Sequence, residues 1–346
     1  MGFGRYLVYR LVNAFIVLFF VVLLTSILFV RLYDINIKTQ ITSQVQMEWM
    51  QYQKAHPGTT VNGTEWMAQR TKALYHKYHL DVPYWERVWE LTIKTMKFDF
   101  GNMQIQIFGT YSAKEAIKLA LPRTVLLFTT ATIITILLGI FLGVKSAQNP
   151  GGSLDKVISV LAMLTTSLPM WWVGMLMILV VVVKLQWLPI NLYATVSVSS
   201  FGQLLTKMTL PVFTIVLVSF GGWSWIIRNI MIGTLQEDFI LVARAKGVPE
   251  RKVIYGHGLR ASAPPIITMI IFALLGSFSG AIITEVVFNW PGMGRLYWVA
   301  ITQNAVNLVV GLTYIFTLLY LLSMILADLM YAWLDPRVKV GASTSV

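Results

Sequence analysis

Six predominantly apolar stretches of this chain offer about 20 residues or more without a charged side chain, and no other feature restricts the fold as much. An α-helix rises 1.5 Å per residue, so about 20 apolar residues cross a hydrocarbon layer of about 30 Å. The stretches are Leu11–Val30, Thr124–Val144, Val157–Val183, Met208–Ile227, Ala261–Thr284, and the apolar end of Leu296–Ala327 from about Leu308. Only 12% of the 346 residues are charged and 56% are hydrophobic, where soluble domains carry about 25% charge. A soluble globular enzyme and a disordered chain are both excluded. The first stretch exceeds a signal-peptide core of about 7–15 residues and lacks a small-residue cleavage site, so it is expected to remain as a span. Cysteine is absent, which removes disulfides, thiolate metal sites and cysteine nucleophiles.

The net charge of +12 fits a topology bias better than nucleic-acid binding, since so apolar a chain could not search nucleic acid in solution. With the N-terminus inside, the inner segments hold Arg5, Arg10, Lys145, Lys156, Arg228, Arg244, Lys246, Arg251, Lys252, Arg260, Arg337 and Lys339. The short outer loops hold only Lys184, Lys207 and Arg295. This bias predicts a multi-pass membrane protein with both termini in the cytoplasm. The long segment Arg31–Arg123 is exempt from the rule and falls outside. Residues 1–32 are then a tail and first span, 33–120 an extracytoplasmic segment, and 121–346 a core with the other five spans. Gly139 and Gly143, and Gly276 and Gly280, have the four-residue spacing that lets helices approach closely.

Within the outer segment, Pro57–Thr64 reads as a loop with helical pieces on either side. From Tyr84, the residues Trp85, Val88, Trp89, Thr92 and Met96 form a stripe of period about 3.6, with Pro83 suited to the first turn. That stripe is expected to pack on the bundle; the membrane interface and a soluble partner are alternatives. Asn62-Gly63-Thr64 matches a glycosylation sequon. His76 and His79 lack an obvious third ligand, so no metal site is expected.

The sequence lacks several kinds of chemistry. It holds no Gly-x-x-x-x-Gly-Lys-Ser/Thr loop to cradle ATP phosphates and no His-Glu-x-x-His pair. Gly276-Ser277-Phe278-Ser279-Gly280 places Phe278 where a nucleophile elbow needs serine. The spans are nearly free of ionisable groups, apart from Asp328 near one end of the last, whereas ion-driven carriers need such groups at mid-depth. Energy for any transport must come from another chain.

The segment 232–260, between the fourth and fifth spans, is the most informative. Glu237 and Asp238 precede an apolar run, as suits a helix start. Gly247 followed by Pro249 stops that helix, and a second short helix is expected from Pro249. The result is a helix, a sharp turn and another helix at the inner surface.

Ala243-Arg244-Ala245-Lys246-Gly247, followed by His257, Leu259-Arg260 and Pro265, resembles the cytoplasmic signature of binding-protein-dependent ABC importer permeases, especially the first permease of the dipeptide/oligopeptide group. Thr284–Leu296, Asp328–Arg337, Leu80–Pro83, Phe98–Gly101 and Leu121-Pro122 are similar to other stretches of that group. Leu241-Val242-Ala243 departs from the general Glu-Ala-Ala opening, and Thr39–Gln69 looks like an insertion. The resemblance implies an all-α bundle of six transmembrane helices with an extracytoplasmic subdomain between helices 1 and 2. It implies a second permease, two cytoplasmic ATPases that bind the ATP and Mg, an extracellular solute-binding protein, membrane lipid, and no nucleic acid. The substrate would be a peptide or an oligosaccharide. Ala243, Arg244, Ala245, Lys246, Gly247, His257 and Arg260 would couple the chain to an ATPase, with the cations pairing to its carboxylates. Trp290, Pro291, Gly292, Gly294 and Arg295 are gate candidates, forming either a capping structure over the path or a plain turn. A non-transporting structural subunit and a secondary carrier remain the alternatives.

Overall fold

From Arg5 to His56 the sequence contains neither glycine nor proline, and one uninterrupted helix, α1 (Phe3–Ala55), fills that interval. The structure is a computed structural model that describes residues 3–58, 61–196, 198 and 200–334. Asp335, Pro336, Arg337 and Lys339, used in the sequence reading above, lie outside the described residues, as do Thr59 and Thr60. After α1 come α2 (Gly63–Lys77), α3 (Tyr84–Met96), β1 (Asn102–Ile107) and β2 (Thr110–Ser112). Then follow α4 (Ala113–Ala147), α5 (Ser153–Ser167) and α6 (Met170–Met177), which continues in π-helical turns over Ile178–Lys184. Next are α7 (Ile190–Ala194), α8 (Phe201–Leu235), α9 (Asp238–Ala245) and α10 (Glu250–Lys252). A π-helical segment, Val253–Gly258, leads directly into α11 (Leu259–Gly276). The last described elements are α12 (Ile282–Val287), α13 (Met293–Thr302) and α14 (Val306–Leu334).

Among the described residues, five helical runs are long and apolar enough to cross a membrane: those containing α1, α4, α8, α11 and α14. A sixth span exists if α5 and the run Met170–Lys184 count together, for they bend by 97°. The uncharged run 157–183 is therefore not the single straight span expected. Pro169 is the cause. Its ring disfavours helical geometry at Leu168, which adopts φ −93, ψ 126 and ends α5. A scan for charge passes over that break. The fifth span also differs from its expected bounds. It begins at Glu250 and its helix ends at Ser279, so the second helix of the 232–260 segment is continuous with the span.

The described residues form two compact units. One comprises Val12–Glu115 and Val299–Thr317. Ile37, Ile41 and Val45 of α1 pack with Leu74 of α2 in its core. A Cβ at Gly63 would come within 2.6 Å of the Trp49 ring, so α2 starts only where a side chain is missing. Asn62 caps that start: its Oδ1 accepts from Thr64 N at 3.1 Å and Thr64 Oγ1 at 2.6 Å. The expected loop is thus shorter than 57–64, and much of the apparent insertion 39–69 is helix. Asp34 takes both Nη atoms of Arg87 at 2.6 Å, an almost buried pair that ties α3 to α1. The stripe on α3 buries Val88, Thr92 and Thr95, whereas Trp85 and Trp89 stay exposed. Trp89 nevertheless meets the Phe19 ring of α1 edge-on at 6.2 Å, and Tyr84 OH donates to Ile27 O at 2.6 Å, so α3 packs on the first span. A β-hairpin, turned by Phe108 and Gly109 at φ 52 and 82, departs from a purely helical fold.

The other unit comprises 3–11, 116–298 and 318–334. Here α4, α5 and α8 approach closely. A Cβ on Gly139 would lie 2.7 Å from Trp223 Cβ, and one on Gly143 2.7 Å from Ile227 Cβ. Gly221 of α8 similarly faces Ala162 and Thr165 of α5. Gly276 and Gly280 do not act as such a pair. A Cβ at Gly276 would meet nothing within 4 Å, and Gly280, at φ +63, lies beyond the end of α11.

Candidate functional site

The connection from α8 to α11 is a helical hairpin held on the ends of three long helices. Glu237, extended at φ −68, ψ 147, opens α9. Lys246 ends it, and Gly247 turns the chain at φ +74, a conformation that costs glycine nothing. Gly247 N donates to Arg244 O at 2.9 Å and Val248 N to Ala243 O at 3.2 Å, satisfying carbonyls at the helix end. Pro249 then opens α10. Ile240, Val253 and Ile254 are buried against Val144 and Ala147 of α4, Ile227, Met231 and Leu235 of α8, and Ile266 of α11. Any movement of the hairpin is thereby shared with those helices. On its far side Phe239, Leu241 and Val242 remain exposed.

Sequence reasoning assigned Arg244 to an external carboxylate. In the structure it pairs with Glu250 across the turn, at 2.8 Å from Nη2. This pair staples α9 to α10. His257 and Arg260 line a cleft of about 720 Å³ with Phe239, Lys252 and Tyr255. Gln148 Nε2, after α4, donates to Tyr255 OH at 2.8 Å.

Nearby, Asp155 at the start of α5 is a hub that sequence reasoning missed. It is almost fully buried. Its carboxylate accepts from Ser146 Oγ and Gly151 N, each at 2.7 Å, and from Arg228 Nη2 at 2.7 Å, with Arg228 Nε also bonded. The turn between α4 and α5 is thus tied to α8. An acid at a helix start flanked by basic span ends was the available signal.

At the other end of this unit, the gate candidates are packed rather than free. Trp290 is fully buried among Leu127, Phe128 and Ala131 of α4, and its Nε1 donates to Arg123 O at 3.2 Å. Glu285, also fully buried, accepts from Thr124 Oγ1 at 2.8 Å and from Arg295 N at 3.1 Å. Thr124 Oγ1 in turn accepts from Met293 N at 2.7 Å. Gly292 and Gly294 are needed for approach rather than for turning. A Cβ on Gly292 would lie 2.4 Å from Thr124 Oγ1, and one on Gly294 2.7 Å from Ile282 Cα. Pro291, immediately before Gly292, is buried as well. Arg295 Nη1 donates to Asn289 Oδ1 at 2.5 Å, and Asn289 Nδ2 to Tyr193 O at 2.6 Å. The segment is therefore a helix-turn-helix clamped onto the start of the second span.

Burial pushes the Glu285 carboxyl up to about 7, against hydrogen bonds from Arg295 N, Thr124 and Gly294 N that lower it. Between the ordinary value of 4.5 and about 7, the folded chain holds a proton that the unfolded chain has released. Stability should therefore be greatest below about pH 4.5 on this group's account and decline until about pH 7, by on the order of 3 kcal/mol. Thermal melting in lipid nanodiscs should show the decline, and Glu285→Gln should flatten it. An equal slope in Glu285→Gln would show that Glu285 does not titrate in this interval.

Residues 135–340 match the family of binding-protein-dependent transport system inner membrane components. The chain belongs to that family. The permease is 30% identical over 264 residues to the oligopeptide transport system permease protein AppB of Bacillus subtilis, covering 76% of this chain and 83% of that one. It is 27% identical to the dipeptide transport system permease protein DppB of Lactococcus lactis, covering 82% and 90%. A third relative, the oligopeptide transport system permease protein OppB of Haemophilus influenzae, is 28% identical over 76% and 83%. The matched region includes the α8–α11 hairpin, the Asp155 hub and the Glu285 cap, and the permease is a multi-pass membrane transport subunit. His76 lies 3.6 Å from Asp81, and His79 falls beyond the end of α2; among the described residues no three metal-ligating side chains come together.

Proposed function

We propose that the permease is half of the membrane pathway of an ATP-driven peptide importer. A second permease forms the other half, two cytoplasmic ATPases bind ATP and Mg, and an extracellular solute-binding protein delivers the peptide. Both termini are cytoplasmic in this reading, and the α8–α11 hairpin rides in a groove on an ATPase. When the ATPases close on ATP, α9 moves with them and carries the ends of α4, α8 and α11, which opens the path outward. One observation carries the reading: a short helix whose apolar side chains Phe239, Leu241 and Val242 are exposed while Ile240 is locked into the span ends. An exposed apolar face on a braced helix suits a protein partner. The Arg10–Asp328 ion pair, 2.7 Å, supports an even number of crossings, because it joins the start of α1 to the end of α14.

Uptake of radiolabelled peptide into proteoliposomes holding all partners should require ATP and the solute-binding protein. Uptake without the ATPases would identify a secondary carrier. No uptake with every partner present would favour a structural subunit. Cysteines placed at Val61 and Gln303 should react with an impermeant reagent from outside whole cells, and one at Lys246 should not. Labelling of position 246 would overturn both the orientation and the docking role.

A further inference from the structure

Helix α3 divides lengthwise into three sectors. Successive residues turn by about 100°, so Val88, Thr92 and Thr95 share one sector, and all three are buried. Glu86, Glu90, Lys94 and Lys97 share another and are exposed. Between the two runs a third: Trp85, Trp89, Ile93 and Met96. Both indoles of that stripe are exposed, and Ile93 and Met96 are half-buried. A helix with one face on protein and one in water has no need of a third that is apolar and uncovered. Such a contiguous stripe marks an interaction surface, and no role has been assigned to it above.

Three contacts fix how α3 lies on α1. Tyr84 OH donates to Ile27 O, just inside Val30, where the uncharged run of α1 stops. The Trp89 ring meets Phe19, and both Nη atoms of Arg87 donate to Asp34. Arg87 and Trp89 are two residues apart and so point to nearly opposite sides of α3. Their partners are roughly 22 Å apart along α1 at 1.5 Å per residue. Helix α3 therefore crosses α1 near Ile27. Trp89 points toward the middle of the apolar run and Arg87 toward the polar half of α1.

We propose that α3 is an interfacial helix, seated at the boundary of headgroups and acyl chains in the leaflet at the Val30 end of α1, with Trp85 and Trp89 among the lipid chains. The lipid is adjacent already. Phe20, Leu24 and Leu28 of α1 are exposed on a run that crosses the membrane, and the Trp89–Phe19 contact makes the indole stripe continuous with that run. An indole suits this depth, because its ring is apolar and its N–H can reach the headgroups. A soluble protein would have to pass beneath the headgroups to cover Trp89. The charged sector faces away and balances, two acids against two lysines, with Lys94 paired to Glu90 at 2.5 Å, and Arg87 is neutralised by Asp34. Apolar burial therefore holds the helix, and attraction to anionic lipid does not. The inference rests on α1 crossing the membrane and is independent of the importer reading.

The chain has no cysteine, so Trp85→Cys, Ile93→Cys and Glu90→Cys each place a single nitroxide label on the full chain. Ile93→Cys keeps both indoles, and unchanged melting profiles verify folding. In lipid nanodiscs, oxygen collides with labels in hydrocarbon and nickel ethylenediaminediacetate with labels in water. The ratio of oxygen to nickel collisions at positions 85 and 93 should exceed that at 90 at least about tenfold, because hydrocarbon excludes a polar complex. It should be the same in phosphatidylcholine and phosphatidylglycerol discs. Nickel reaching all three labels would place α3 in water, and neither reagent reaching 85 and 93 would mean that protein covers the stripe. Oxygen-rich collisions at all three would submerge the charged sector. A ratio that rises only with phosphatidylglycerol would make charge the anchor. Each of these four results overturns the proposal.

Discussion

Gly247→Trp is expected to abolish ATP-dependent uptake while the membrane bundle stays folded. The backbone at this position has φ +74, and a Cβ built there meets nothing within 4 Å. The added side chain has room in the isolated permease, so no core contact is lost. Holding a non-glycine residue at positive φ costs about 1–3 kcal/mol, borne by a short turn outside the spans. An indole projecting from the end of α9 would obstruct any surface that receives Phe239, Leu241 and Val242. Gly247→Ala separates the two effects, because it has the conformational cost without the bulk. Transport should fall partly in Gly247→Ala and be lost in Gly247→Trp, together with retention of the ATPases during purification. Full uptake in Gly247→Trp would mean that the hairpin carries no coupling.

Gly292→Ala should be strongly destabilising, for among the described glycines it makes the shortest contact with an added Cβ. Its Cβ would lie 2.4 Å from Thr124 Oγ1 and 2.5 Å from Glu285 Oε2, distances that real Cβ atoms essentially never show. Neither neighbour can yield without cost, for Thr124 holds Met293 N and Glu285 holds Arg295 N. Overpacking costs about 1–3 kcal/mol, and separating a buried carboxyl from its donors adds about 1–3 kcal/mol. Melting in nanodiscs should drop sharply. Gly233→Ala is the matched control, a helical position with nothing within 4 Å of the new methyl, where the change should be neutral or slightly stabilising. Equal melting temperatures for the two variants would mean that the cap contributes nothing to stability.

The two sites differ in how far the sequence disclosed them. Gly247 and Pro249 are local punctuation, and a turn built from neighbours can be read from neighbours. The spans were legible because charge is excluded from them, but the 97° bend at Pro169 was not, since a proline leaves hydropathy untouched. The length of α1 was present as an interval without glycine or proline, and its polar second half drew attention away. Glu285 and Thr124 are 161 positions apart, and Arg228 and Asp155 are 73 apart. No periodicity connects such pairs, so the carboxylates that organise both ends of this unit emerged only in three dimensions. Arg244 shows the converse: its charge was noticed, and its partner Glu250, six residues on, was not.

The unbroken helix α1 has a mechanical consequence. It continues from Val30, where its uncharged run stops, to Ala55, which is roughly 38 Å of helix at 1.5 Å per residue. A rod of that length magnifies angle into distance. Tilting its apolar segment by about 10° sweeps the tip through roughly 7 Å. The helix is thus a lever, and a small rotation of its apolar half becomes a displacement of several ångströms at the far half, where Trp49 meets Trp66 of α2.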